Sequence, residues 1–363
     1  MGLPLTDDFR DIVLKKRPLI DVRAPIEFEK GAFPTAVNLP LMSDEERHEV
    51  GICYKEKGHD AAVELGHSLV QGEIKEQRVA AWKAFIEAHP DAYLYCFRGG
   101  QRSGISQQWL ADAGIEIPRL KGGYKAFRNY LSTEAETITA RTETLIVGGR
   151  TGSGKTILLQ KLENMIDLEG LANHRGSSFG RFTTPQPAQI DFEDELAYQL
   201  IHFDNKGYNR LVIEHESHNI GRIFIPKPIY ENFTKGSLII LETPIEERTQ
   251  ITYDEYVVSA LEEHKKAFGD AGDAKWFESI DSGLDRIKKR LGSERYLALK
   301  ALLIDAFNRQ LKNGDTEAHK SWVEVLLHEY YDPMYDYQIE KSPIPVIFRG
   351  NKEEVLEFIK AQS

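Results

Sequence analysis

The stretch that most constrains this chain lies at residues 149–156, where Gly-Arg-Thr-Gly-Ser-Gly-Lys-Thr matches the pattern GxxxxGK[ST]. An apolar run at 144–148 predicts a strand before it, and Ile-Leu-Leu-Gln-Lys-Leu at 157–162 predicts a helix after it. In this setting the loop directs backbone N–H groups at a polyphosphate. Lys155 would neutralise phosphate charge, and the Thr156 hydroxyl could hold Mg²⁺. The residues predicted to form this phosphate cradle are Gly149, Arg150, Thr151, Gly152, Ser153, Gly154, Lys155 and Thr156.

A second candidate site is the loop at residues 96–103, with the sequence Cys-Phe-Arg-Gly-Gly-Gln-Arg-Ser. It follows a short apolar run at 92–95 that predicts a buried strand, and a predicted helix comes after it. The glycines let successive backbone N–H groups turn toward one point, which makes an anion-binding nest. The nest, the helix dipole and the guanidinium groups favour a nucleophilic thiolate over a buried structural thiol. We therefore predict a catalytic group consisting of Cys96, Arg98 and Arg102.

Length and charge limit the class of protein. A chain of 363 residues is too long for one ordinary core, so we expect two domains. We place their boundary in a polar stretch, giving domains at 1–133 and 134–363 with a helical insertion at about 245–340. Strands that alternate with helices predict a parallel sheet with a reactive site at a strand end. The formal net charge of −11 argues against nonspecific nucleic-acid binding by bulk charge, although a local basic face remains compatible with it.

Cysteine usage and hydropathy indicate the compartment. Cys53 and Cys96 are the two cysteines, so neither a disulfide framework nor a metal cluster built on cysteines is expected. Residues 1–8 lack a basic region followed by an apolar core, which predicts no signal peptide. No stretch reaches the roughly 18 apolar residues that a membrane span needs. We expect a cytoplasmic protein, monomeric and without a metal site of its own.

Four other stretches each allow two interpretations. A predicted strand ends at Glu214 and Glu216, which could be metal or water ligands or solvated acids that cap the strand. The small, polar and basic segment 173–181 suits either a loop that binds an anion or RNA backbone or a flexible connector. The basic run 286–291 could be a solvated helix face or a phosphate contact. Aromatic side chains at 322–337 could stack on unpaired bases or pack in the core.

The first domain carries several short motifs besides the cysteine loop. They are Leu-Ile-Asp-Val-Arg at 19–23, Leu-Lys-Gly-Gly at 120–123, and the single residues Glu27, Gly31, Ala36, Asn38 and Pro40. With these motifs residues 10–131 resemble a rhodanese domain. The resemblance implies that the loop cysteine carries a persulfide or its selenium counterpart. Cys96 and Arg102 enclose five residues, one more than is usual in rhodanese sulfurtransferases, which leaves room for a larger group or anion.

The order of the two domains adds a second resemblance that spans nearly the whole chain. The extended loop at 96–103, the cradle at 149–156, and the segments 173–181 and 331–337 resemble the tRNA 2-selenouridine synthase family. That family replaces the sulfur of a 5-substituted 2-thiouridine at the tRNA wobble position with selenium from selenophosphate. It also geranylates the sulfur with geranyl diphosphate, and the S-geranyl group then leaves. The resemblance implies tRNA as partner, with selenophosphate and geranyl diphosphate as co-substrates rather than bound cofactors.

Together these patterns predict an α/β protein with an N-terminal rhodanese-like parallel-sheet domain. A P-loop NTPase-like α/β domain with a helical C-terminal part follows it. One hypothesis is that geranyl diphosphate, rather than ATP, occupies the cradle, where Lys155, Arg150 and the loop amides stabilise the departing diphosphate. The other is that Cys96 carries selenium as a covalent adduct, while Arg98 and Arg102 steady the anionic donor.

Two other classes of function fit the same motifs. The first is a rhodanese sulfurtransferase fused to an ATP- or GTP-dependent kinase-like domain, which predicts phosphate release when nucleotide alone is added. The second is a noncatalytic RNA-binding regulator with a nucleotide-gated fold, which predicts that a Cys96→Ala variant keeps full function in cells.

Overall fold

The computed structural model describes residues 2–362 and divides them into two compact units. The first unit runs to Ile138 and also includes Ala188–Lys206; the second comprises Thr139–Pro187 and the chain from Gly207 onward. The sequence instead predicts a boundary at 133/134 and places residues 188–206 in the second domain. Met1 and Ser363, the predicted outer ends of the two domains, lie outside the described residues.

Short strands and helices alternate in the first part of the chain. In chain order they are β1 (Leu5–Thr6), α1 (Phe9–Leu14), β2 (Leu19–Asp21), α2 (Pro25–Phe28), β3 (Ala36–Asn38), α3 (Asp44–Lys57), α4 (His59–Leu69), α5 (Gly72–Ala88), β4 (Tyr93–Tyr95), α6 (Gln101–Asp112), β5 (Arg119–Leu120) and α7 (Gly123–Arg141). The strands form one parallel sheet in the order β1–β5–β4–β2–β3. All of β2 is buried, as expected for a parallel sheet covered on both faces. The cysteine loop therefore begins at the carboxyl end of β4, the central strand of the sheet.

The chain then builds the beginning of a second sheet and returns to the first unit. Its next elements are β6 (Glu143–Gly149), α8 (Lys155–Leu159), β7 (Met165–Ile166), α9 (Leu168–Leu171) and α10 (Gln189–Asn205). Helix α10 belongs to the first unit and packs against α1. Its carboxylate Asp194, itself buried, pairs with Arg128 of α7 at 3.1 Å. This helix is the main difference between the predicted and observed division of the chain.

The remaining elements complete the second unit. They are β8 (Arg210–Glu214), β9 (Asn219–Ile220), β10 (Ile223–Phe224), α11 (Lys227–Phe233), β11 (Ser237–Leu241), α12 (Ile245–Tyr253), α13 (Ala260–Phe268), α14 (Gly272–Leu291), α15 (Ser293–Asn313), α16 (Lys320–Leu326), α17 (Asp332–Lys341), β12 (Val346–Gly350) and α18 (Lys352–Gln362). The second parallel sheet has the order β12–β11–β6–β8–β7, and β9 and β10 form a separate antiparallel pair. The central strand β6 leads directly into the cradle at 149–156.

Helices α12 to α17 form the helical part predicted at about 245–340, around their own apolar core. Trp276 is fully buried there, and so are most of the aromatic side chains near the end of the chain, among them Trp322, Tyr330 and Tyr331. Core packing is thus the interpretation that fits these three residues. Tyr337 differs, because 62% of it is exposed. Within residues 2–362, no helix combines the length and apolar character that a bilayer span would require.

The helix after the cradle is shorter than the sequence predicts. The pattern indicates a helix through residue 162, but α8 ends at Leu159. The amide of Leu162 donates to Leu159 at 2.8 Å, which closes a turn instead of continuing the helix. The side chain and backbone of Asn164 then bond to Arg210 and Val212 and pull the chain back beside β8.

Candidate functional site

Cys96 lines a cavity of about 800 Å³ in the first unit. Its side chain is 3% exposed, and its Sγ–H donates to Ser103 Oγ at 3.1 Å. The Ser103 hydroxyl donates in turn to the Gly100 carbonyl at 3.2 Å. The thiol is therefore held by its own loop and reaches solvent through this cavity. Arg98 and Arg102 line the same cavity, so the structure brings the three predicted catalytic residues together.

The two arginines of the loop are not equivalent. Arg102 forms a two-pronged ion pair with Glu27, with Nη1–Oε2 at 2.5 Å and Nη2–Oε1 at 3.1 Å. Burial opposes ionisation of Glu27, but the bonds from Arg102 outweigh it and lower the pKa of that carboxyl. Arg98 is exposed and pairs with no carboxylate in the part of the chain that the structure describes. An anionic donor would therefore meet Arg98 as a free cation and Arg102 as one that is already neutralised.

Three further cations of this cavity were missed by sequence reasoning: Arg23, Lys30 and Arg47. Arg23 is buried, pairs with Asp21 at 2.6 Å and lies over the ring of Tyr124 at 3.9 Å. The motif at 19–23 already contains Arg23, so its position at the carboxyl end of a strand was the available signal. Arg47 pairs with Glu27 at 2.9 Å, so among the described residues Lys30 is the one of these three cations without a carboxylate partner.

A glycine turn supports the cysteine loop from behind. The amide of Tyr124 donates to the Cys96 carbonyl at 2.9 Å, and the amide of Lys125 donates to Phe97 at 3.0 Å. Gly123 has φ +60°, and a Cβ there would lie 2.2 Å from the Cys96 oxygen. The Leu-Lys-Gly-Gly motif therefore has a geometric cause, since only glycine allows this turn to approach the loop so closely.

The cradle at 149–156 opens into a cavity of about 680 Å³ in the second unit, which we call the P-loop cavity. Gly152 and Gly154 have φ of +78° and +81°, the conformations that turn the loop. Lys155 Nζ donates to the Gly149 carbonyl at 3.2 Å and so lies across the loop. All the predicted cradle residues except Arg150 line the cavity: Gly149, Thr151, Gly152, Ser153, Gly154, Lys155 and Thr156.

Arg150 is engaged elsewhere. Its guanidinium forms hydrogen bonds at 2.7 and 2.9 Å to the two oxygens of Asp336 on α17, and it lies 3.7 Å from Asp332. Asp332 forms a second, buried pair with Arg248, which also donates to the Thr151 carbonyl at 3.0 Å. Helix α17 therefore braces the cradle through two aspartates four residues apart. That spacing puts both on one helix face.

Carboxyl groups surround Lys155 in the P-loop cavity. Glu169, Glu216 and Glu255 line it, whereas Glu214 is buried and accepts a hydrogen bond from the Glu169 amide at 2.6 Å. Burial raises the pKa of Glu214 to about 8 and that of Glu255 to about 7. Burial, with the neighbouring Glu169 carboxyl, also raises the pKa of Glu216. The structure thus separates the two acids of the predicted strand end, because only Glu216 faces the cavity.

The lining of the P-loop cavity also includes apolar and aromatic side chains. They are Ile157, Ile251, Met334, Tyr337 and Ile344, of which Ile157 and Ile251 lie beside Gly154 of the cradle. The cavity therefore combines anion-binding groups with surface suited to hydrocarbon. Segment 331–337, one of those that carry the family resemblance, contributes directly to this lining.

The segment 173–181 folds against the same unit. A bridge joins His174 to Arg181, and Arg175 pairs with Glu263 at 2.6 Å. Arg175 also stacks over Phe182 at 3.8 Å. These contacts fit a structured loop better than a flexible connector.

The fold and the two sites define a class: a rhodanese-type sheet with a cysteine at a strand end, joined to a P-loop unit with a helical C-terminal part. A model described as the tRNA 2-selenouridine synthase AAA domain matches residues 142–363, and a rhodanese-like domain model matches 5–130. The chain therefore belongs to the tRNA 2-selenouridine synthase family, which confirms the resemblance and the predicted fold class.

Named relatives support the same assignment over the full length. The tRNA 2-selenouridine synthase of Sulfurovum sp. is 57% identical over 358 residues, which cover 99% of this chain and 98% of the relative. That of Hydrogenovibrio crunogenus is 51% identical over 366 residues, covering 99% and 100%. That of Marinobacter nauticus is 48% identical over 363 residues, covering 99% and 98%.

Proposed function

We propose that this protein replaces the sulfur of wobble 2-thiouridine in tRNA with selenium from selenophosphate, through an S-geranylated intermediate made from geranyl diphosphate. A thiocarbonyl sulfur is a poor leaving group, whereas the alkylated sulfur departs as a neutral thiol. The relatives' name supports the tRNA substrate and the selenated product. The geranyl step is supported by the shape and chemistry of the P-loop cavity.

The observation that carries the geranyl step is the mixed lining of the P-loop cavity. Its loop amides and Lys155 suit a diphosphate, and Ile157, Ile251 and Met334 suit a short hydrocarbon chain. In the transfer, the thiouridine sulfur forms a bond to the first carbon of the geranyl group as the carbon–oxygen bond breaks. Diphosphate leaves with the bonding electrons, and the loop amides stabilise its added charge.

The carboxyl groups near Lys155 affect how a diphosphate would bind. With raised pKa values, Glu216 and Glu255 carry less negative charge near neutral pH than ordinary glutamates and repel the ligand less. In residues 2–362 no three His, Cys, Asp or Glu side chains gather into a metal site. Mg²⁺ in phosphate sites is often held by one or two carboxylates and the substrate itself. Here Thr156 would hold it, together with Glu216 once the ion has displaced the proton that the raised pKa of Glu216 favours. Its role there would be to neutralise diphosphate charge.

The selenium step belongs to the cavity of Cys96. We assign Cys96 as the thiol that contacts and positions the selenium donor for attack on the S-geranylated base, and Arg98 as a cation that binds the anionic donor. The hydrogen bond to Ser103 orients the sulfur, and Lys30 adds a further cation to the wall. The geranyl and selenium steps thereby use different groups, so they should be separable by substitution.

The test is incubation with thiolated tRNA, geranyl diphosphate and selenophosphate, omitting each in turn, with mass analysis of the nucleosides. Cys96→Ala should accumulate S-geranylated tRNA without the selenated product. Lys155→Ala should lose geranylation. Cys53→Ala, which changes the other cysteine, is the matched control and should resemble the wild type.

Normal selenation by Cys96→Ala would remove the assigned role of that thiol. Geranylation that survives Lys155→Ala would remove the assigned role of the cradle. Phosphate release on addition of ATP or GTP alone would instead favour a nucleotide-dependent, kinase-like second domain.

A further inference from the structure

A second cavity of the P-loop unit has no role in the chemistry above. It encloses about 590 Å³, and we call it the arginine cavity because Arg181, Arg222 and Arg286 line it. Gly176 and Ser177 line both this cavity and the P-loop cavity. The two cavities are therefore neighbours that share a wall of backbone.

The three arginines have no carboxylate partners. Within residues 2–362, no acid lies within ion-pair distance of Arg181, Arg222 or Arg286. Other arginines of this unit are neutralised: Arg175 pairs with Glu263 and Arg248 with Asp332. The chain has a net charge of −11, so three neighbouring arginines without carboxylate partners are a local concentration of positive charge in an acidic protein. Such a group favours an anionic ligand.

Two of these side chains are held in place while keeping most of their donors free. Arg222 donates from Nη2 to the Gln186 carbonyl at 2.9 Å, and Arg286 donates from Nη2 to the Ser178 carbonyl at 2.6 Å. Arg222 uses one of the five N–H donors of its guanidinium in this way, and Arg286 uses two, because its Nη1 also donates to Ser282 Oγ at 2.9 Å. The remaining donors are preorganised to meet a planar or tetrahedral oxyanion.

His174 adds a neutral donor to the same wall. Its Nδ1 accepts a hydrogen bond from the Gly176 amide at 3.1 Å, which leaves the proton on Nε2. Burial, followed by the charges of nearby arginines, lowers the pKa of His174. The ring is therefore neutral near pH 7 and adds a hydrogen bond rather than a fourth positive charge.

We infer that the arginine cavity binds a phosphodiester of the tRNA backbone and so holds the substrate beside the P-loop cavity. The inference rests on the proposed function in taking tRNA as the substrate. Arginine forks match phosphate oxygens well. Two stretches for which the sequence allows a phosphate contact or a purely structural role both line this cavity. They are the segment 173–181 and the basic run 286–291. From the run, Arg286 is the contributor; Lys289 and Arg290 do not line the cavity.

The test measures binding of full-length protein to fluorescent thiolated tRNA over a range of salt concentrations. Arg181→Gln is the first variant, because the structure gives the Arg181 guanidinium no hydrogen-bond partner whose loss could disturb folding. We expect roughly 3–10-fold weaker binding. The slope of log K against log salt should become shallower by about 0.9 for each phosphate that the variant no longer neutralises. The double variant Arg181→Gln/Arg222→Gln should change the slope by about twice as much.

Arg309→Gln is the matched control, since it removes the same charge from an exposed pair with Asp305 at 3.0 Å on α15. It should keep both the affinity and the slope of the wild type. Unchanged affinity and slope in the Arg181 and double variants would overturn the inference. So would variants that lose affinity for inorganic pyrophosphate but not for tRNA, because the cavity would then hold a free anion.

Failure of the proposed function would appear differently. Wild-type protein would then bind tRNA with the expected salt dependence, and Arg181→Gln would weaken that binding and make its salt slope shallower. The wild-type protein would nevertheless form no S-geranylated product.

Discussion

At the scale of single residues, the buried pair of Arg248 and Asp332 is an interaction whose removal should be costly. Arg248 is 2% exposed, and Asp332 accepts two hydrogen bonds from it. Asp332→Ala would leave a buried guanidinium unpaired, so we expect a loss of about 3–5 kcal/mol in the free energy of unfolding. Urea denaturation of the purified variant measures this loss.

The neighbouring Asp336 offers a control on the same helix. Its pair with Arg150 is exposed, and we expect Asp336→Ala to cost less than about 1 kcal/mol. Equal losses in the two variants would show that burial of the Arg248 pair does not determine its contribution.

Gly123 gives a second prediction at this scale. Gly123→Ala introduces a Cβ that would meet the Cys96 carbonyl and the Gly99 amide, in addition to the strain of φ +60°. Gly114 has φ +79°, but a Cβ at that position would have open space around it. Gly114→Ala therefore measures the cost of the backbone conformation without a steric contact. We expect Gly123→Ala to be less stable than Gly114→Ala by roughly 1–3 kcal/mol and to lose selenation. Thermal unfolding and the nucleoside assay check both, and equal stability of the two variants would refute the steric argument.

Residue positions were predictable where a local pattern determines them. Cys96 and the seven cradle residues lie at their cavities because a strand, a turn and a helix follow one another in the sequence. Arg150 is a cradle residue by pattern, but its partner Asp336 is 186 residues away. No local signal reports such a pairing, so its position was not predictable. The proposed catalytic roles themselves stay predictions until the substitutions are made.

At the scale of secondary structure, Glu214 at the carboxyl end of β8 makes the free energy of unfolding depend on pH. Glu214 has a pKa of about 8 in the folded chain, against about 4.5 when exposed. Between these values the unfolded chain releases a proton that the folded chain keeps. The free energy of unfolding therefore falls as pH rises from about 4.5 to 8, by on the order of 5 kcal/mol from this group.

Glu214→Gln keeps an acceptor for the Glu169 amide but does not titrate. Denaturation at pH 5, 6.5 and 8 should show that the variant gains stability relative to the wild type as pH rises. Glu163→Gln, which changes an exposed carboxylate of the same unit, should follow the wild type. A constant difference between wild type and Glu214→Gln across the three pH values would contradict the raised pKa.

Elements were predictable in kind more readily than in length. The strand before the cradle and the helix after it follow from the motif, and β6 and α8 are both present. The end of α8 at Leu159 depends on Asn164, whose partners are Arg210 and Val212 in β8. Tertiary hydrogen bonds therefore set this boundary, and helix propensity does not.

At the scale of the whole molecule, we expect helix α10 to unfold and refold together with the first unit. It packs against α1, and Arg10 of α1 bonds to Asp204 at 2.9 Å. Ile12→Ala would open a cavity beside α1, where Ile12 is fully buried, costing about 2–5 kcal/mol. Hydrogen exchange should then show reduced protection in both α1 and α10, while β8 keeps its protection.

Val355→Ala is the reciprocal variant, because Val355 is fully buried in α18 of the second unit. It should lower protection in the second unit and spare α10. Exchange in α10 that follows β8 in both variants would contradict the assignment of this helix to the first unit.

The number of domains and their fold classes were predictable, because each carries its own motif near a strand end. The return of residues 188–206 to the first unit was not. Burial of Asp194 against Arg128 is a long-range pairing, and the amphipathic pattern of α10 is compatible with packing on either sheet. Local periodicity identifies the buried face of a helix but not the surface that covers it.

The late position of α10 has a consequence for biosynthesis. The ribosome completes every strand of the first sheet by Leu120, yet the helix that finishes that unit ends at Asn205. At roughly 5–20 residues per second, the chain beyond Ile138 grows for roughly 3–14 s before this helix is made. During that interval Arg128 has no Asp194 to meet. A nascent chain that has not yet reached residue 189 therefore lacks the helix that packs against α1, and its first unit stays incomplete until that helix is synthesised.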